Sequence, residues 1–200
     1  MTSLTVARSE FILGGQKSGK SRRAELLARD WLAVSSTHHA VLIATAQPWD
    51  GEMRARIKRH QTDRAARVPG LRTVEEPLHL AEAIAQHSHT DTLLVVDCLT
   101  LWLTNWLMPM EQPLDNDLVP NRTPAPVPYA PVAMLLDSIA QAPGPVVMVG
   151  NEIGLGVIPM GAEVRAFVDS LGRLNQDVAR VCQRVTLMAA GLPLTLKDAR

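Results

Sequence analysis

Cysteine is nearly absent from this chain, and what little there is forms no pattern. Cys98 and Cys182 are the two in 200 residues. Neither belongs to a CxxC pair or a Cys/His cluster, which argues against a structural zinc site. Both sit in apolar stretches, so they read as buried free thiols of a reducing compartment. Net charge is absent too, with Lys+Arg and Asp+Glu at 20 each. Without a bulk positive field the chain is not drawn to nucleic acid or to an anionic membrane, although neutrality leaves room for a local basic pocket. The apolar runs fall well short of the roughly 18 to 20 residues that a bilayer crossing needs. One of them, "TLLVVDCLTLWL", is interrupted by Asp97. The opening "MTSLTVARSE" lacks the basic-then-apolar build of a signal peptide, and there is no internal repeat. The expectation is a cytoplasmic protein, inserted in no membrane and bound to no nucleic acid. Its residues 1–200 form one α/β domain with a substantial core.

What is present is an alternation. "EFILGG", "HAVLIATA", "TLLVVDCL" and "GPVVMVGN" read as strands, and "RVTLMAAG" and "LPLTLK" as two short closing strands. Between them "SRRAELLARDWLA", "GEMRARIKRHQ", "PLHLAEAIAQH", "TLWLTNWLM" and the long "EVRAFVDSLGRLNQDVARVC" read as helices. Continuous apolar strands separated by helices predict a mainly parallel sheet covered on both faces. One stretch breaks the rhythm. Prolines recur from Pro109 to Pro131, which predicts a Pro-rich insertion of irregular structure serving as a mobile, interface or substrate-side segment.

The most informative residues are Gly14, Gly15, Gln16, Lys17, Ser18, Gly19, Lys20 and Ser21, "GGQKSGKS". They satisfy the GxxxxGK pattern closed by Ser or Thr, and they lie where that pattern must, after a strand and before a helix. Glycine lets the backbone turn tightly enough for its N–H groups to face phosphate oxygens, and the helix N-terminus adds a positive end. Lys20 supplies charge to the β- and γ-phosphates, and the Ser21 hydroxyl is offered to Mg²⁺. This assigns a P-loop NTPase fold of the RecA-like kind. A partner acid is expected at the end of a neighbouring strand, where ligands of such sheets bind. Asp97 stands there as a Mg²⁺ ligand, or alternatively as a cap for the helix that follows. Kinases, GTPases and ATPase motors share such a site, so the motif alone selects none of them.

Three further segments carry polar groups in suggestive places. In "GEMRARIKRHQTDR" the residues Glu52, Arg56 and His60 recur at spacing four, among Arg54, Lys58, Arg59 and Arg64. That helix is either a solvated basic face or the bearer of a phosphate-site histidine nucleophile. "VGNEIGLGVIP" places Asn151 and Glu152 at a strand end, followed by Gly154 and Gly156. In the long helix Arg165, Asp169 and Arg173 share a face, with Asn175 and Gln176 next along. They read as an ion-pair ladder of roughly half a kcal/mol per pair or as the lining of a pocket or subunit contact.

Taken together, "GGQKSGKS", "IATAQPWDGEMRARIKRH", "RTVEEP", "VVDCLTLWLTN", "NEIGLGVIP" and "RAFVDSLGRLNQDVA" closely resemble the bifunctional adenosylcobinamide kinase / adenosylcobinamide-phosphate guanylyltransferase family of cobalamin assembly. The segments occur in the family's order from Phe11 to about Cys182. The RIxxH element followed by NExGxGxxP is far more specific than the P-loop. The resemblance implies phosphorylation of the aminopropanol hydroxyl of adenosylcobinamide by ATP or GTP. It then implies transfer of GMP from GTP to that phosphate, through a covalent histidine-GMP, giving adenosylcobinamide-GDP and pyrophosphate. The histidine role falls on His60. Nucleotide contacts carry over to Gly14 through Ser21, to Ala44, Thr45 and Ala46, to Gln61, Thr62, Asp63 and Arg64, and to Glu75 and Asp97. Lys20 joins His60 as catalytic, Ser21 and Asp97 are the Mg²⁺ ligands, and a homotrimer is implied. Two residues depart from some relatives. Arg59-His60 replaces a histidine pair, which leaves His60 alone, and Asp97 replaces a longer glutamate.

Two other functions compete with this one. A P-loop small-molecule kinase without guanylyltransferase activity would leave His60 on the surface and take no covalent mark from GTP. A nucleotide-dependent switch would hydrolyse slowly, bind a partner and turn over no cobinamide. The absence of a guanine-reading NKxD element speaks against the switch.

Overall fold

The computed structural model describes residues 4–48, 51–108, 129–157 and 159–199. In chain order the elements are β1 (Ser9–Gly14), α1 (Lys20–Val34), β2 (His39–Ala44), α2 (Gly51–Arg67), β3 (Leu71–Glu75), α3 (Leu80–His87), β4 (Thr92–Asp97), α4 (Leu99–Leu107), α5 (Tyr129–Gln141), β5 (Val146–Val149), α6 (Ala162–Val181), β6 (Arg184–Ala189) and β7 (Leu192–Asp198). The strands form one seven-stranded sheet in the order β3-β2-β4-β5-β1-β6-β7. Five of the six pairings are parallel, and the β6–β7 hairpin at the edge is antiparallel. Its turn uses Ala190 and Gly191, both at positive φ, which suits a two-residue hairpin connection. The sheet is mainly parallel with helices on both faces, as the alternation of strands and helices predicts, and the P-loop sequence joins β1 to α1 as that fold requires.

Strand periodicity explains the two cores. Every residue of β1 is buried, so successive side chains must enter opposite layers. Phe11 and Leu13 join Val96, Trp102, Leu135, Ile139 and Leu174 on one face. Ile12 joins Ala24, Leu27, Ala28, Leu42 and Val95 on the other. Helix α1 therefore covers one face, and α3 to α6 cover the other. Helix α6 buries Leu171, Leu174, Asn175 and Val178, a stripe at spacings of three and four. Cys98 and Cys182 are buried free thiols. Burial pushes them up to about 11 and about 12, respectively, so both remain protonated at neutral pH.

Two elements lie outside the expected set. Strand β3 is a half-exposed edge strand in which Arg72 and Glu75 are open to solvent, so it lacks the continuous apolar run of a buried strand. Helix α5 starts at Tyr129, inside the stretch expected to be irregular through Pro131. Proline in a first helical turn costs no intrahelical bond, and Leu135 and Ile139 anchor the helix on the core. Residues 109–128, the bulk of the Pro-rich insertion, lie outside the described residues.

Candidate active site

The cradle is built where β1 ends. Gly14 has φ 152 and Gly19 φ 102, conformations that side chains resist. A Cβ on Gly14 would stand 2.5 Å from Met188 O and 2.6 Å from Ser18 Oγ. Lys17 adopts the left-handed region at φ 57, which turns the loop back toward α1. Two neighbours hold this loop from either side. The Gly191 amide donates to Ser18 O at 3.1 Å, from the β6–β7 turn, and the Glu152 amide donates to Gly14 O at 3.2 Å, from beyond β5. Lys20 and Ser21 open α1. The Lys20 ammonium donates to Gly15 O at 2.6 Å. Burial lowers its pKa from the ordinary lysine value, opposed by Cys98 and Asp97.

The sheet register sets the acid beside the cradle. Glu75, Ala44, Asp97, Val149 and Ile12 are partners in one row across β3, β2, β4, β5 and β1. Asp97 thus stands at the carboxyl edge, one strand removed from the cradle strand with β5 between. The cap of α4 is Cys98, and it makes no side-chain capping bond; Asp97 does not serve as that cap. Behind the acid, Thr45 is fully buried. Its hydroxyl accepts from the Cys98 amide at 2.9 Å and donates to Cys98 O at 2.7 Å, while the Thr45 amide donates to Asp97 O at 3.3 Å. The Thr45 side chain therefore locks the backbone that carries Asp97. Asn105 completes the lock, donating to Thr45 O at 2.8 Å and to Pro77 O at 3.0 Å. Thr45→Val keeps the shape but strands a buried amide, a cost of about 1–3 kcal/mol. Calorimetry should show the Tm lowered by roughly 2–12 °C for a chain of this size; an unchanged Tm would contradict the lock.

The basic helix reaches the same edge. Gln61 donates to Glu75 Oε1 at 3.2 Å, which ties α2 to the end of β3. Thr62 and Asp63 are exposed; the Thr62 hydroxyl donates to Lys58 O at 3.0 Å, and Asp63 O accepts from Arg67 Nε at 3.1 Å. Arg64 is buried. Arg67 pairs with Glu25 of α1 at 3.2 Å. Burial raises the Glu25 carboxyl above the usual range, opposed by Arg67 and Arg64. Glu25 carries no motif in the sequence, yet it anchors α2 to the helix that bears Lys20. The backbone of His60 lies in α2, one residue before Gln61. The side chains of Glu52, Arg56 and His60, and so the expected stripe, lie outside the described residues.

Ala44 ends β2, with Thr45 and Ala46 following it at the row of Glu75 and Asp97. Of the segments flagged beyond the P-loop, Asn151 and Glu152 stand beside the cradle. Their backbone is pinned by the Asn151 amide donating to Thr100 Oγ1 at 2.9 Å and by buried Asn175, which donates to Asn151 O at 3.0 Å and Glu152 Oε2 at 3.4 Å. Asn175 thus acts as a tether, apart from the exposed Arg165, Asp169 and Arg173. A cavity of about 390 Å³ lined by His39, Arg72, His87 and His89 opens at the opposite edge of the sheet and holds none of the expected site residues.

Comparison with known proteins converges on one family. Residues 10–196 match a family model described as cobinamide kinase / cobinamide phosphate guanyltransferase. The chain is 45% identical over 190 residues to the bifunctional adenosylcobalamin biosynthesis protein CobP of Pseudomonas aeruginosa, covering 94% of this chain and 96% of that one. It is 33% identical over 187 residues to the bifunctional adenosylcobalamin biosynthesis protein CobU of Escherichia coli K12, covering 94% and 98%. Among solved structures, the flagellar accessory protein FlaH from Methanocaldococcus jannaschii aligns with TM-score 0.50 at 11% identity, covering 97% of this chain and 80% of that one. A Pyrococcus horikoshii OT3 protein aligns with TM-score 0.53 at 10% identity, covering 99% and 90%. These two share the fold alone.

Proposed function

The chain belongs to the cobinamide kinase / cobinamide phosphate guanyltransferase family, and from that premise we propose how its residues divide the two reactions. The enzyme phosphorylates adenosylcobinamide and then guanylylates the phosphate. In our reading one P-loop serves both steps. The observation that supports it is the Gln61–Glu75 contact, which ties the turn of α2 after His60 to the carboxyl end of β3, two strands from β4 and Asp97.

In the kinase step the acceptor hydroxyl oxygen attacks the γ-phosphorus in line, the bond from that phosphorus to the β–γ bridging oxygen breaks, and the hydroxyl proton is released to solvent. Lys20, the loop amides and the N-terminus of α1 stabilise the charge on the departing diphosphate. In the guanylyl step a ring nitrogen of His60 attacks the α-phosphorus of GTP. The bond from that phosphorus to the bridging oxygen breaks, and pyrophosphate leaves against the same cradle. An oxygen of cobinamide phosphate then attacks the phosphoramidate, the P–N bond breaks, and His60 is restored. The Ser21 hydroxyl and the Asp97 carboxylate are hard oxygen donors suited to Mg²⁺, and neither has a side-chain hydrogen bond among the described residues. When bound, Mg²⁺ supplies charge neutralisation to the phosphates. Gln61 to Arg64, Glu75 and Ala44 to Ala46 surround the nucleoside side of the site, with Thr45 contributing backbone.

We also read the chain as one domain, supported by the single sheet that takes strands from Ser9 to Asp198. The exposed Leu192, Leu194 and Leu196 of the edge strand β7 give the homotrimer we propose an apolar surface to bury. A cytoplasmic setting is supported by the two free thiols. No helix among the described residues is long and apolar enough to cross a membrane.

The test is a product time course. With adenosylcobinamide and ATP the protein should form the phosphate and stop. Adding GTP should convert that phosphate to adenosylcobinamide-GDP with one pyrophosphate released per transfer. Phosphate that persists in GTP with no pyrophosphate would leave a kinase alone.

A further inference from the structure

The segment joining β5 to α6 has an unusual surface for its place. Because β5 lies between β1 and β4 in the sheet, this segment leaves the carboxyl edge between the cradle and Asp97. Its root is fixed: Glu152 is bonded to Gly14 O, Asn151 to Thr100, and buried Asn175 grips both. Past Glu152 its character changes. Leu155 is 80% exposed, Val157 97% and Met160 95%, with Ile153 and Val164 also open to solvent. Scattered exposed hydrophobics need no explanation, but five within twelve residues beside a phosphate site form a patch of the kind that marks binding.

We propose that this apolar loop is the acceptor site, and that it takes the face of the corrin macrocycle. The inference rests on the functional reading above. The acceptor hydroxyl must meet the γ-phosphorus on the side where Lys20 and Asp97 stand, and the loop rises from the sheet at that point. The other run of exposed leucines, on β7, lies beyond β6 on the far side of β1 from Asp97. The acceptor is a broad ring rimmed with methyl groups, with its reactive hydroxyl at the end of one arm. An apolar platform rooted beside the cradle holds such a ring while the arm reaches the phosphate. Held this way, the ring is bound equally in the ground and transition states, so the platform lowers the acceptor's KM and leaves kcat to the cradle. It also explains why the loop's root is tied by four polar contacts while its tip carries no polar function.

The test is Leu155→Ser/Val157→Ser, at two solvent-facing positions whose replacement leaves the core intact. Initial rates of phosphoryl transfer are measured against adenosylcobinamide and, separately, against GTP. The KM for adenosylcobinamide should rise about tenfold or more, given the apolar area withdrawn from the contact. The KM for GTP and the kcat at saturating acceptor should stay within twofold of wild type. An acceptor KM within twofold of wild type overturns the assignment. So does a variant whose mass by sedimentation falls below that of wild type, because the patch would then be a contact between copies. A wild-type chain that uses GTP but never acts on adenosylcobinamide fails earlier, at the functional reading, and takes the acceptor site with it.

Discussion

His60→Ala is expected to abolish covalent labelling of the protein by GTP carrying its label at the α-phosphate. A neutral imidazole attacks phosphorus well, and α2 is rich in cations, with Arg54, Lys58 and Arg59 exposed, which favours approach of a polyphosphate to this helix. Guanylyl transfer should fall about 10³-fold or more, as loss of a covalent nucleophile does elsewhere. Phosphorylation of adenosylcobinamide should persist, because that transfer is direct. The measurement is label on the denatured chain, with its acid and base stability. Acid-labile, base-stable label on wild type that is missing from the variant identifies a phosphoramidate at His60. Equal label on both proteins would mean that another residue is the nucleophile.

Local rules made half of this site legible. The cradle is read directly because strand, glycine turn, lysine and helix start follow one another within a dozen residues, and the structure sets Gly14, Gly19 and Lys20 as that local logic requires. Asp97 is read from its place at the end of an apolar run. What escaped is carried by long-range pairs. The Thr45 hydroxyl turns to Cys98, 53 residues away, so its side chain holds the backbone that carries the acid. Glu25 meets Arg67 at a separation of 42, and Asn175 meets Asn151 at 24. None of these pairings has a periodic signature, because each depends on the strand order, which brings β5 between β1 and β4. At the level of elements the same logic applies. Strand β3 was hidden by charged residues that an edge tolerates, and α5 by a proline that a first turn tolerates.

The seating of Lys20 carries the largest consequence for both activities. Its ammonium is buried, bonded to the carbonyl of Gly15, and shifted below the ordinary lysine range by that burial. The loop carbonyl satisfies the charge and holds the side chain in the cradle. Lys20→Ala removes the one buried cation of the cradle without disturbing Gly14 or Gly19. A donor aimed at developing charge is typically worth about 10²–10³ in rate. If a single P-loop serves both steps, then kcat/KM for phosphorylation and for guanylylation should drop together by at least that factor, with circular dichroism unchanged. Lys20→Arg should rescue neither, because a planar guanidinium does not fit a pocket shaped for a compact ammonium. Guanylylation that survives in Lys20→Ala while phosphorylation is lost would require a second triphosphate site elsewhere on the chain.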